Sequence, residues 1–156
     1  MRKFLILATA LAVLLLAAPP AGAIIQVQRS ISGVALNMSQ SQVRAALGTP
    51  SRTVHGRNDF GQFTEFRYTG GITVNFQGNA NVTAVSETGP GDRTANGVGV
   101  GSSEQAVRTR VAGARCATEF GIRTCQVGRS LPGHRVTAFL IRAGHVTRVT
   151  IGFVID

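Results

Sequence analysis

Along residues 72–76 apolar and polar side chains take turns: Ile72, Val74 and Phe76 fall on one side, Thr73 and Asn75 on the other. That period of two predicts a strand with one buried face. Phe63-Thr64-Glu65-Phe66-Arg67-Tyr68 precedes it across Gly70-Gly71, so the two runs read as a hairpin, and Val82–Val85 follows as a further strand after a turn at Gly78-Asn79. Three more runs, around 123–127, 135–142 and 145–153, read as strands, with Ala143-Gly144 as the tight turn between the last two. Two stretches show the helical period instead. After Ser39, Val43 and Leu47 recur at i and i+4, Gln42 completes a capping box, and Gly48 and Pro50 stop the helix. After Ser102-Ser103, Val107 and Val111 form the same apolar pair and Gly113 ends the run. Helices of about ten residues are marginal alone, so each is expected to lean on a sheet.

The elements recur in the same order because the sequence repeats. Gly33-Val34 through Val43-Arg44 matches Gly97-Val98 through Val107-Arg108 at an offset of 64, and Val82-Thr83-Ala84-Val85 matches Val146-Thr147-Arg148-Val149 at the same offset. Two separated matches at one offset imply two copies of a unit of about 60 residues. The turn-rich stretch Ser86–Asp92 reads as their connection. The expected fold class is therefore α+β, with two tandem units, each of short helices packed on an antiparallel β-meander. The expected divisions are residues 1–23, 24–88 and 89–156.

The first division reads as a targeting segment. Met1-Arg2-Lys3 is basic, Phe4 to Ala18 carries no charge, and Pro19-Pro20-Ala21-Gly22-Ala23 supplies helix breakers and a small-x-small site. This is the pattern of a secretory signal peptide cleaved near Ala23. Its apolar run of about 15 residues falls short of the roughly 20 that span a bilayer. With no cysteine after it, no lipid anchor is expected. The expected location is secreted, periplasmic or cell-envelope.

Composition sharpens this picture. The chain of 156 residues has a net charge of +9, which falls to +7 when Arg2 and Lys3 leave with the signal peptide. Lys3 is the only lysine, so the fourteen basic residues that remain of sixteen are all arginine. Arginines outnumber acids nine to four in residues 91–156 but only five to three in residues 24–90. Export permits a disulfide, and Cys116 and Cys125, the only cysteines, are nine positions apart around a turn at Gly121. That spacing is not the C-x-x-C of a metal or redox pair, so a structural disulfide is expected.

Met38-Ser39-Gln40-Ser41-Gln42-Val43-Arg44-Ala45-Ala46-Leu47-Gly48-Thr49-Pro50 resembles the helix-to-strand motif of the SmpA/OmlA (BamE-like) domain, and Phe66-Arg67-Tyr68 stands where that domain has an aromatic-x-Tyr strand. The tandem copy in an exported chain is more similar to the β-lactamase-inhibitor-protein-like (BLIP-like) arrangement. The resemblance implies a helix-and-sheet architecture and a general protein-binding role, and it names no contact residue. The second copy departs from the motif, with Val111-Ala112-Gly113-Ala114 in place of the Leu-Gly-x-Pro tail.

Candidate chemistry is sparse. His55, His134 and His145 fall in expected loops and turns, with no H-x-x-x-H spacing for a metal. No G-x-S-x-G is present, and no pair of carboxylates stands out for glycoside hydrolysis. Gly97-Val98-Gly99-Val100-Gly101 is not a phosphate loop, for it lacks the lysine. The expectation is a protein that is not an enzyme, with no catalytic residue, cofactor or metal. If Phe139, Ile141, Val149 and Ile151 face the core, alternation puts Arg142 and Arg148 on the opposite, solvated face. With Arg135, Arg67 and Tyr68 they are the candidate binding residues. The expected partner is an extracytoplasmic protein, which the chain would serve as an inhibitor or envelope accessory. The alternatives are an anionic envelope polymer or lipid held by the arginines, and a small hydrolase whose site is unseen. Nucleic acid is excluded by export and by the lack of basic, aromatic-interleaved motifs.

Overall fold

A computed structural model of the chain describes residues 24–78 and 80–155. The signal-peptide reading of residues 1–23 lies outside these, as does Asn79 of the expected turn. A small hairpin comes first, from β1 (Ser30–Ile31) and β2 (Val34–Ala35). Helix α1 (Gln40–Leu47) is followed by β3 (Arg52–Asn58), β4 (Gly61–Arg67), β5 (Ile72–Gln77) and β6 (Ala84–Glu87). Helix α2 (Glu104–Arg110) is followed by β7 (Arg115–Glu119), β8 (Ile122–Val127), β9 (Arg135–Arg142) and β10 (His145–Phe153). No helix among the described residues is long and apolar enough to cross a membrane.

The strands β3 to β10 form one antiparallel sheet of eight, in the order β3-β4-β5-β6-β10-β9-β8-β7. This corrects the expected fold class. The molecule is mostly β, with helices of only 8 and 7 residues, and its large sheet does not divide into two helix-plus-meander units. The physical reason lies at β6. That strand pairs with β5 on one side and with β10 on the other, so its second row of N–H and C=O groups is satisfied across the repeat boundary. A stretch of about 60 residues is marginal as an independent core, so each half gains from this shared pairing. The seam has a telling register. Ser86 pairs with Thr150, Val85 with Ile151 and Glu87 with Val149. Ser86 and Thr150 are themselves one repeat offset apart, so an approximate twofold axis normal to the sheet passes through that pair.

One face of the sheet carries the core. Phe66, Val74, Phe76, Val85, Phe139, Ile141, Val149 and Ile151 are buried there, with Val43 of α1 and Val107 of α2. Phe66 and Phe76 meet edge to face at 4.8 Å, and the Arg44 guanidinium lies 4.2 Å over Phe66. Ser39 caps α1 through the expected capping box, and Ser103 caps α2. Both caps are tied to the sheet side of the fold by matching bridges, Ser39 to Asn81 and Ser103 to His145. These ties hold two helices that are too short to persist alone.

Candidate binding groove

Among the described residues the other face of the sheet bears no helix. Register partners share a face, and one row of partners crosses it from edge to edge: Arg52, Arg67, Thr73, Ser86, Thr150, Ala138, Gln126 and Arg115. Arg52 and Arg67 stand at one end and Arg115, beside Gln126, at the other, with the small side chains of Thr73, Ser86, Thr150 and Ala138 between. At the seam Gly152 is paired with Ala84. A Cβ on Gly152 would lie 3.2 Å from the Ala84 methyl that faces it. Near the β3 edge the Phe63 ring fills the space over Gly56, where a Cβ would come within 2.5 Å of the ring.

A groove of about 670 Å³ opens at the β7 end of this face, between the β7–β8 hairpin and the loop from Gly128 to Leu131. Arg115, Ala117 and Glu119 of β7 and Ile122, Thr124 and Gln126 of β8 line it, as alternation requires. Three large apolar side chains are exposed here: Phe120 fully, Ile122 at 56% and Leu131 at 49%. Arg115 and Arg129 flank them, and neither guanidinium has a side-chain partner among the described residues. Phe120 sits at the hairpin tip with φ 49°, ahead of Gly121 with φ 77°. A two-residue turn with both φ values positive favours Asn or Asp before Gly. A bulky phenylalanine there is a conformational outlier.

The hairpin is held from behind. Cys116 and Cys125, direct register partners, form the expected disulfide. Arg123 grips Glu104 of α2 with two bonds, Nη2 to Oε1 at 2.6 Å and Nε to Oε2 at 3.2 Å, and Arg108 reaches the same carboxylate at 3.2 Å. The hydrogen bond from Arg123 holds the Glu104 carboxyl below the ordinary carboxylate range, and the charges of Arg123 and Arg108 add to this. The two sulfurs and the Glu104 carboxylate are the only close group of possible metal ligands among the described residues. With both sulfurs in a disulfide this is not a metal-binding set.

The candidate residues named from the sequence do not converge. Arg67 and Arg148 lie on the helix-free face, Arg67 bound to Glu65 at 2.5 Å and Arg148 beside Leu140. Arg142 ends β9 opposite His145, on the same face. Tyr68 and Arg135 belong to the other face by alternation. The Tyr68 hydroxyl donates to the Gly48 carbonyl at 3.4 Å, and burial pushes its phenol up against the opposing charge of Arg44. The Tyr68 side chain thus ties strand to helix. The Arg135 carbonyl accepts from Gln28. The histidines are also dispersed. His55 is not in a loop but on β3, with Nδ1 3.0 Å from the Thr64 hydroxyl. His134 and His145 flank opposite ends of β9, roughly 25 Å apart at the rise of a strand. Sequence reasoning missed Phe120, Ile122, Leu131, Arg115 and Arg129. The available signal was the dipeptide Phe120-Gly121 between the cysteines, an apolar residue where a hairpin turn prefers a polar one.

No family model matches the chain, and no curated protein matches it by sequence. Its fold is similar to that of an extracellular protein containing a SCP domain from Bacillus anthracis str. Ames, at 8% identity and a TM-score of 0.52, over 76% of this chain and 44% of that one. A DUF4309 family protein from Bacillus subtilis subsp. subtilis str. 168 matches at 19% identity and a TM-score of 0.49, over 85% and 88% of the two chains. A cysteine-rich secretory protein from Staphylococcus aureus subsp. aureus Mu50 matches at 9% identity and 0.47, over 76% and 44%. The chain thus spans less than half the length of the first and third of these. These findings overturn the resemblance to the SmpA/OmlA (BamE-like) domain and the BLIP-like arrangement. The motif from Met38 to Pro50 is a cap, one apolar helix face and a stop. Each of those residues has a local structural role in α1, so the motif does not by itself mark a family.

Proposed function

We propose that the chain is exported by cleavage near Ala23 and acts outside the cytoplasm as a non-catalytic binding module. It holds a partner protein in the groove at the β7 end of the helix-free face, and it works by occupancy, as an inhibitor or an envelope accessory does. The observation that carries this reading is the grouping of Phe120, Ile122 and Leu131, all exposed, between the unpaired Arg115 and Arg129. Apolar anchors beside arginines are the composition of binding hot spots. The groove walls are fixed before any partner arrives, by the disulfide behind β7 and the Glu104–Arg123 pair behind β8, which lowers the entropy cost of association. The complementary partner segment is apolar with carboxylates at its margins. A disulfide suits an oxidising compartment, and the same fold occurs in a protein described as extracellular.

The test uses one substitution that separates binding from folding. Phe120→Asn suits the turn better than the native residue, yet it removes the largest exposed apolar group. A photo-cross-linking residue at Ile122 identifies the bound protein in the native host. That partner, once purified, is expected to bind Phe120→Asn and Leu131→Ser at least about tenfold more weakly than the unmodified protein. Equal binding overturns the reading. Binding that ignores both substitutions and collapses with added salt instead assigns the arginines to an anionic envelope polymer or lipid. N-terminal sequencing of the exported protein is expected to begin at Ile24.

A further inference from the structure

An open sheet has two edges, and each offers a row of unpaired N–H and C=O groups. Here they are β3 and β7. Strand β3 carries Arg52, His55 and Arg57 and no acid, so a second copy of the same strand meets it with like charge. Strand β7 is different. Its sequence is Arg115-Cys116-Ala117-Thr118-Glu119, with one cation and one anion placed symmetrically about Ala117. Arg115 and Glu119 lie on the same, helix-free face and are exposed. Neither side chain has a partner among the described residues. They cannot reach each other, for four residues of strand separate them by about 13 Å. Their neighbours on β8, Gln126 and Ile122, carry no charge.

We infer that two copies of the chain pair antiparallel through β7, about a twofold axis at Ala117. In that register Ala117 faces Ala117, Cys116 faces Thr118, and Arg115 of each copy faces Glu119 of the other. Both charges that the single chain leaves unpaired are thereby paired, twice over. Ala117 has the small side chain that a crossing at the axis needs. The Cys116–Cys125 disulfide keeps β7 flush with β8 and ready to accept a strand. The contact is isologous and so closes at two copies. The helix-free faces of the two copies lie on the same side, and the two grooves flank the new seam. In the dimer Arg115 is engaged across the new seam, and Arg129 is the arginine left to flank each groove.

Sedimentation equilibrium of the purified, disulfide-bonded protein tests it. The unmodified protein is expected to dimerise, and added salt is expected to weaken the dimer. Arg115→Glu alone, or Glu119→Arg alone, places like charges opposite each other at both positions. Each is expected to raise the dissociation constant about ten- to a hundredfold. The double reversal Arg115→Glu/Glu119→Arg regains the unmodified affinity. An equimolar mixture of the two single variants also associates, because every facing pair is then complementary, and circular dichroism confirms that each variant is folded. A protein that stays monomeric up to about 1 mM overturns the inference. So does a dimer that neither single reversal weakens, or a mixture that fails to associate.

Discussion

Glu87 occupies a core position of β6, 2% exposed, where its neighbours across the sheet are Ile72 and Val149. Its Oε1 accepts the Asp92 backbone N–H at 3.0 Å, while Oε2 is buried with no hydrogen-bond partner among the described residues. Asp92 is buried beside it and accepts a hydrogen bond from the Ser32 hydroxyl. Burial pushes the Glu87 carboxyl above the ordinary carboxylate range; the Asp92 N–H and the Arg93 charge oppose this, and the Asp92 charge reinforces it. The folded protein therefore holds this proton more tightly than the unfolded chain does. Its stabilising effect is complete below the pH at which the unfolded carboxyl ionises, and it is lost as pH rises through the higher folded value. Denaturant unfolding measured from about pH 4 to pH 8 is expected to show this decline in the unmodified protein and to lack it in Glu87→Gln. Near neutral pH the variant is expected to be more stable by about 1 kcal/mol, because an amide keeps the bond to Asp92 without burying a charge. Parallel stability curves for the two proteins would refute the assignment.

The β7–β8 hairpin shows how an element of weak local preference is held in place. Strand β7 is an edge, its residues are almost all exposed, and its sequence shows no apolar alternation. Among the described residues its attachment rests on β8 and on the disulfide, with no second neighbouring strand. Reduction, or Cys116→Ser with Cys125→Ser, is expected to cost at most about 3 kcal/mol, since the loop it closes is short. The informative readout is local. Backbone hydrogen exchange is expected to accelerate in 115–119 while β5, β6, β9 and β10 keep their protection. Uniform acceleration across the sheet would mean that the disulfide supports the global fold instead. The same weakness explains what the sequence concealed. Strands β5, β9 and β10 were legible because each has buried residues at alternate positions, as at Val74 and Phe76, and α1 was legible from Ser39, Gln42 and Gly48. Strands β3 and β7 were not, because an edge strand with one thinly covered face has little apolar residue to display, and His55 was read as a loop residue for that reason. The groove was hidden further still. Phe120, Ile122 and Leu131 meet only through the register of β7 with β8 and the return of the following loop, neither of which a linear pattern encodes.

At the scale of the whole molecule the repeat was visible as an offset, but its consequence was not. The offset of 64 is also the register of the seam, where Ser86 meets Thr150, and that pairing makes one sheet of two four-stranded halves. The halves are interlocked elsewhere too. At the start of the first half, the Ile25 N–H donates to the Arg93 carbonyl at 2.9 Å, and the Gln28 N–H donates to the Thr137 hydroxyl at 2.6 Å, both partners in the second half. Ile25 is buried, and of the buried polar residues that follow β6, Asp92 accepts from the Ser32 hydroxyl of the first half while the Thr94 hydroxyl accepts from the Val98 N–H of the second. Cutting the chain between residues 88 and 89 would strip β6 and β10 of one neighbour each and expose the row Val85, Val149 and Ile151 along the break. A fragment of that size has little hydrophobic surplus with which to tolerate the loss. Residues 24–88 and residues 89–156, produced separately, are therefore expected to lack the dispersed amide spectrum of a folded sheet, even though the second retains its disulfide. Mixed in equal amounts, they are expected to associate and recover it, because the seam supplies its own register through Ser86 and Thr150. Gly152→Val in the second fragment forces a branched side chain towards the Ala84 methyl, and it is expected to prevent that recovery while leaving the β7–β8 disulfide able to form. Two fragments that each give a dispersed spectrum alone would show that the repeat, and not the joined sheet, is the unit that folds.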